Sequence, residues 1–352
     1  FKTMNIKYTN IYLAISLLFV TSVAFANDIE SLAVKAKGKE TIELRFNGRM
    51  QLQYDGLSLT GTNPATLEPS TSHFYFRRLF LGTKAKLSNG IFAETVLDFA
   101  GDDSPELNFD KAILGYKFSN GIKGVLGFQK VPFGYEETTS SSKLQTIERS
   151  AVNRFFADDI DFSSRHTGIF VSGKLESGIL DYSLALVNAY QGEGSRLGDE
   201  SSTSNELAYF ARLQHKGEIF TLGYDYGSAA NNEVIGEEIS ASTAYLNYNM
   251  DDINFLGEYF EGDLGASGEA TGYSIRASSR MGKWEPVLRY SSLETDNFNI
   301  DTNFNNICYG PKPLSIRNHK NKKQLIEKYK NLPDFSKVVA ELEKDVVDKD
   351  NK

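Results

Sequence analysis

From Thr41 to Tyr54 apolar and polar residues alternate without interruption. Even positions carry Ile42, Leu44, Phe46, Gly48, Met50, Leu52 and Tyr54. Odd positions carry Thr41, Glu43, Arg45, Asn47, Arg49, Gln51 and Gln53. A period of two sends each set to its own face of a strand. This segment far outruns the ~5–6 residues of an average soluble strand. Comparable segments recur near 73–87, 91–100, 109–119, 122–131, 166–174, 179–190, 205–216, 219–229, 239–249, 252–261, 271–281 and 283–294. The spacing predicts thirteen strands. Short turns such as Ser88-Asn89-Gly90 and Ser119-Asn120-Gly121 alternate with longer connections at 55–71, 101–107, 191–204 and 262–270.

Long amphipathic strands, with short turns at one end and long loops at the other, predict an all-β, antiparallel transmembrane β-barrel. In such a barrel the apolar face meets lipid and the polar face lines water. Aromatics near strand ends, at Phe74-Tyr75-Phe76, Tyr224 with Tyr226, and Tyr259-Phe260, fit an interfacial girdle. A helical membrane protein is excluded, since no apolar run after the N-terminus approaches the ~20 residues that a spanning helix needs.

Composition narrows the chemistry. One Cys among 352 residues excludes a disulfide scaffold and a thiolate metal cluster. Four scattered His leave little for zinc, so neither a metal nor a cofactor is expected. A net charge of −8 argues against a nucleic-acid partner. At the N-terminus, Met4 reads as the start, Lys7 as a basic lead and Ile11–Val20 as an apolar core. Ala24-Phe25-Ala26 supplies a small-x-small cleavage pattern. Residues 1–26 are therefore expected to be a cleaved signal peptide, and 27–40 a periplasmic lead-in to a barrel over 41–305.

Strand parity then sorts the charges. Basic residues expected on the polar face are Arg45, Arg49, Arg78, Lys84, Lys86, Lys111, Lys117, Lys123, Arg212, Lys216, Arg276, Arg280 and Arg289. The acids there are Glu43, Glu94, Asp98, Glu206, Asp225 and Glu258. Other acids collect in loops, as at Glu136-Glu137 and Asp158-Asp159, where solvated surface carboxylates are the ordinary expectation. A basic lumen concentrates anions. Simple solvation of inward Lys and Arg is the competing account, and a one-residue slip in register would flip a whole set.

Between 131 and 166 lies a connection too long for an ordinary turn. Here the sequence resembles the phosphate-selective porin family (O and P type). The resemblance rests on Gly127-Phe128-Gln129-Lys130-Val131-Pro132-Phe133-Gly134, the Thr/Ser run after it and Glu148-Arg149-Ser150. Phe76-Arg77-Arg78 and Arg289-Tyr290-Ser291-Ser292 add to it. It spans roughly residues 43–294. It implies a sixteen-stranded porin, usually a homotrimer, in the outer membrane of a Gram-negative bacterium. It also implies that basic side chains guide phosphate or other small anions through the pore. By that resemblance the loop bearing Lys143, Arg149 and Arg154 narrows the channel; a surface or trimer-contact loop is the alternative. Arg149 thus joins Arg45, Arg49, Arg78, Lys84, Lys111, Lys117, Lys123, Arg212, Arg276 and Arg289 as an expected anion-guiding residue.

The C-terminus departs from the pattern. From Pro311 onward the chain holds ten Lys and one Arg against seven acids, and 319–331 and 334–348 have helical periodicity. Residues 306–352 are expected to be a helical tail outside the barrel, either a foreign junction or a soluble extension, with about three barrel strands missing. An enzyme is not expected: His73, His166 and His215 accompany no G-x-S-x-G nucleophile motif. A structural or adhesive barrel without selective transport is the rival to a porin.

Overall fold

The protein is described here by a computed structural model. It describes residues 32–35, 41–57, 71–100, 108–175, 179–195, 206–282, 284–296 and 304–308. These form one antiparallel sheet of fifteen strands in strict sequence order. The strands are β1 (Leu32–Lys35), β2 (Thr41–Leu57), β3 (Thr71–Leu87), β4 (Ile91–Asp98), β5 (Asn108–Lys117) and β6 (Lys123–Lys130). After a long segment come β7 (Arg165–Lys174), β8 (Leu180–Asn188), β9 (Leu207–Lys216), β10 (Phe220–Ala229) and β11 (Ile239–Met250). β12 (Ile253–Asp263), β13 (Glu269–Ser279), β14 (Val287–Thr295) and β15 (Phe304–Cys308) complete it.

All thirteen expected strands are present as β2–β14. Two short ones flank them. β1 lies inside the stretch read as a periplasmic lead-in and pairs with β2. β15 pairs with β14 and runs to Cys308, three residues beyond the expected barrel boundary. Among the described residues no ladder joins β15 to β1. The signal peptide, the helical tail beyond β15 and the loops over 58–70 and 196–205 lie outside the described residues.

Exposure alternates, but inverted relative to a soluble sheet. Along β10, Phe220, Leu222, Tyr224 and Tyr226 are exposed, while Thr221, Gly223, Asp225 and Gly227 are buried. On β14, Leu288 is 58% exposed and its neighbour Arg289 only 3%. Burying one such apolar side chain is worth about 1.5–3 kcal/mol, so an apolar belt of this extent is stable only against lipid. Of the aromatics expected in the girdle, Phe74, Phe76, Tyr224, Tyr226 and Tyr259 are exposed; Phe260 is instead buried, on the opposite face.

Turn chemistry explains the short end. In both short turns an Asn accepts from a backbone N–H two residues on, Ile91 N to Asn89 Oδ1 and Ile122 N to Asn120 Oδ1, each 3.2 Å. Gly90 follows at φ 96°, where a Cβ would sit 2.7 Å from the Lys117 carbonyl oxygen. Two ladders also slip register. Arg77 is the extra residue between β3 and β2, and Asp110 the extra residue between β5 and β4. Such bulges re-aim side chains, and the first turns Arg77 toward the site.

Candidate functional site

Residues 131–164, between β6 and β7, pack on the polar face of the sheet. The loop therefore lies on the face of the sheet that carries the basic residues, opposite the exposed apolar belt. Its short helical pieces are α1 (Tyr135–Thr138) and α2 (Ala151–Arg154), the latter continued by a π-turn over Phe155–Asp159. Val131, Phe133, Val152, Phe155, Phe156, Ile160 and Phe162 are at most 1% exposed and join wall residues such as Phe210, Ala241, Phe260, Ala270 and Leu293 in one cluster. Phe133 is central. Its ring lies 5.3 Å from Phe162, 5.9 Å from Phe156 and 6.1 Å from Phe260, and Phe156 stacks on Phe260 at 5.5 Å. Small wall residues make the room: a Cβ on Gly272 would lie 2.9 Å from Val152 Cγ1, and one on Gly262 3.0 Å from the Phe156 ring.

Charges complete the docking. Glu136 accepts from Arg276 of β13 at 2.9 Å and lies 3.6 Å from Arg289 of β14. Glu148 accepts from Arg77 of β3 at 2.7 and 3.1 Å and from Arg78 at 3.4 Å. Arg289 donates to the Glu148 carbonyl at 2.7 Å and to Thr146 Oγ1 at 3.0 Å. One loop residue thus ties β3 to β14, eleven places apart in the sheet order, so the sheet must curl around the segment. Arg212 grips Asp225 through two 2.7 Å bonds and also donates to Thr138 Oγ1 at 2.9 Å and the Gly134 carbonyl at 3.1 Å.

These contacts correct the expectation of solvation for Glu136 and Glu137, whereas Asp158 and Asp159 are exposed as expected. Glu136 and Glu137 are 1% and 3% exposed. Glu137 pairs with Lys130 and, at 3.0 Å, with Arg149. Arg149 also donates to the Glu136 and Thr139 carbonyls, at 3.2 and 3.1 Å, so it braces the loop from within. Lys143 is exposed, and Arg154 pairs with Asp158.

The remaining basic residues fall into two groups. Arg49 donates to Ser141 Oγ and lies 4.7 Å over the Phe80 ring; among the described contacts no carboxylate is within hydrogen-bond reach of it. Towards the short-turn end, Arg45 bonds Glu43 at 2.7 Å, and Glu94 takes Lys84 at 3.0 Å and Lys111 at 3.5 Å. Arg45, Lys84 and Lys86 line a groove of about 320 Å³. Lys117 and Lys123 are exposed and face each other across the ends of β5 and β6.

In the loop, burial alone would raise the Glu148 carboxyl, but the Arg77 hydrogen bond and the charges of Arg77 and Arg78 outweigh it and hold it below the usual range. Asp158 is pushed up to about 6 by burial, against the opposing pull of Arg154. Burial likewise raises the Tyr135 hydroxyl. His166 sits between the Asn188 and Phe162 carbonyls, 2.9 and 3.1 Å away, in a structural role. Sequence parity missed Arg77, because the bulge alone turns it toward Glu148; the Arg77-Arg78 doublet was the available signal.

A curled antiparallel sheet with a lipid-facing apolar belt, and a long loop folded onto its polar face, defines an outer-membrane porin. The family model for phosphate-selective porin O and P matches residues 44–236, more than half of the chain, and the protein belongs to that family. Solved porins share the fold. An anion-selective porin from Comamonas acidovorans is similar at TM-score 0.55 and 16% identity, over 77% of this chain and 83% of that one. OmpF of Salmonella typhi, in complex with daunomycin, is similar at TM-score 0.53 and 10% identity, over 76% and 83%. No curated protein matches it in sequence. Family and fold are those of channel proteins of the Gram-negative outer membrane, not of enzymes.

Proposed function

We propose that this porin passes small anions, with inorganic phosphate among them. The observation that carries the reading is the polar face of β2–β6 towards the short-turn end. There Arg45, Lys84, Lys86, Lys117 and Lys123 are exposed beside, among the described residues, two acids, Glu43 and Glu94. Deeper, Arg49 adds a guanidinium whose forked donors suit an oxyanion. Several moderate sites favour flux over trapping, since an ion must leave as readily as it enters. The family's description and the similar anion-selective porin support the same reading. Contact with outer-membrane lipid and assembly of three copies belong to it as well. The test is the reversal potential of the purified protein in a planar bilayer under a KCl gradient. Chloride preference, with current reduced on adding phosphate, is expected; potassium preference at neutral pH would overturn it.

A further inference from the structure

The wall acids Asp225 and Glu258 should oppose anion passage if they merely lined the pore, yet neither faces open lumen: they are 0% and 3% exposed. Both point at the first turn of the loop. Gly134 N donates to Asp225 Oδ2 at 2.9 Å. Tyr135 N donates to Glu258 Oε1 at 2.7 Å, and Glu136 N reaches the two Glu258 oxygens at 3.2 and 3.3 Å. Three consecutive N–H groups are therefore held by two carboxylates from β10 and β12. Asn153 of α2 donates to Glu258 Oε2 at 3.1 Å and accepts from Glu137 N at 3.2 Å, which carries the grip into the second half of the loop. Gly134 permits the turn: its φ is 75°, and a Cβ there would lie 2.7 Å from Asn153 Oδ1. Among the described contacts every side-chain hydrogen bond of Glu258 goes to the loop.

Resting on the porin reading, we propose that Asp225 and Glu258 are positioning residues that fix the loop's distance from the wall, and so set the channel's width rather than its ion preference. A carboxylate suits this task because backbone N–H groups offer only donors, and an ionised acid offers only acceptors. Glu258→Gln keeps the shape but turns one acceptor into a donor, aimed at the Glu136 N–H or the Asn153 amide. The aromatic cluster would still attract the loop, so the change should loosen it without expelling it.

The experiment is single-channel recording of the full chain in planar bilayers, with refolding first verified by heat-modifiable migration. Wild type should give one quiet level. Glu258→Gln, and Glu258→Ala should the first refold poorly, should fluctuate between that level and a larger one. Both should admit larger neutral sugars in liposome swelling, with reversal potentials close to wild type. Asp181→Asn is the control: it removes a wall acid whose described partner is Lys174 of β7, outside the loop, and should stay quiet. A quiet Glu258→Gln channel of wild-type conductance would overturn the proposal. So would a quiet channel with a reversal potential moved toward anions, since that marks plain electrostatic lining. The wild-type reversal potential judges the anion reading separately, because noise and ion preference are independent readouts.

Discussion

Where the loop packs on it, the wall formed by β9–β14 holds its basic residues in the opposite state from the short-turn end of the wall formed by β2–β6, although both start from the same sequence pattern. On the first, Arg212, Arg276 and Arg289 are buried and bonded to loop or wall acids and to loop carbonyls. On the second, Lys84, Lys86, Lys117 and Lys123 stay exposed. The loop makes the difference. Its apolar residues need a dry surface, which the first wall supplies through Ala241, Gly262, Ala270 and Gly272, and its acids then neutralise the arginines left beside that surface. A basic residue on a lumen face is therefore not by itself an anion site. What matters is whether the loop packs over it.

Removing the loop's apolar anchor should blur the contrast most. Phe133→Ala removes a fully buried ring and should cost about 3–5 kcal/mol of docking. That raises the undocked population by roughly 10²–10⁴, measured as faster proteolytic nicking within 131–164 of the folded barrel. Glu148→Gln comes next. Its side chain is about a third exposed, so breaking the link to Arg77 and Arg78 should cost about 1–2 kcal/mol, between surface and buried pairs. A double-mutant cycle with Arg77→Gln checks it, and full additivity would refute the link.

Acidity sharpens the comparison from within the loop. The lowered Glu148 contributes docking stability that is present above the ordinary carboxylate range and lost only as pH falls through its depressed value. The raised Asp158 works in the other direction: its contribution is full below about 4 and lost as pH rises through about 6. Between pH 7 and pH 5 the loop should therefore tighten. Amide exchange over 151–162, corrected for its intrinsic pH dependence, should slow over that interval. The smallest effect belongs to the open wall. Lys84→Gln alone should move the reversal potential slightly, since an exposed charge in water is worth about 1 kcal/mol at contact, and the quadruple change at Lys84, Lys86, Lys117 and Lys123 should act cumulatively.

Much of this was legible in the chain. Strands β2–β14 could be read because their inverted amphipathicity runs for eight to seventeen residues. β1 and β15, at four and five residues, are too short to display a period. Parity placed Arg276 and Arg289 on the polar face correctly, but nothing local announced that Glu136 would meet them, Arg276 from 140 residues away. Likewise Gly262, expected at the start of a connection, and Gly272, expected in a strand, carry no sign of Phe156 and Val152 packing against them. Ion pairing and cavity filling are tertiary events, and a period of two carries no trace of them.

The central claim is that the loop lies against the inner wall of β13. A cysteine pair tests it most directly, with Cys308 first replaced by Ser. The Cβ placed on Gly272 falls 2.9 and 3.0 Å from the two Val152 methyls and 2.9 Å from the Ser292 carbonyl oxygen, so once β14 gives by a few tenths of an ångström cysteines at 152 and 272 should meet the short Cβ separation that a disulfide needs. In the folded, bilayer-inserted protein, Val152→Cys with Gly272→Cys should cross-link readily under mild oxidation. Two free, reagent-accessible thiols in a folded barrel would contradict the account.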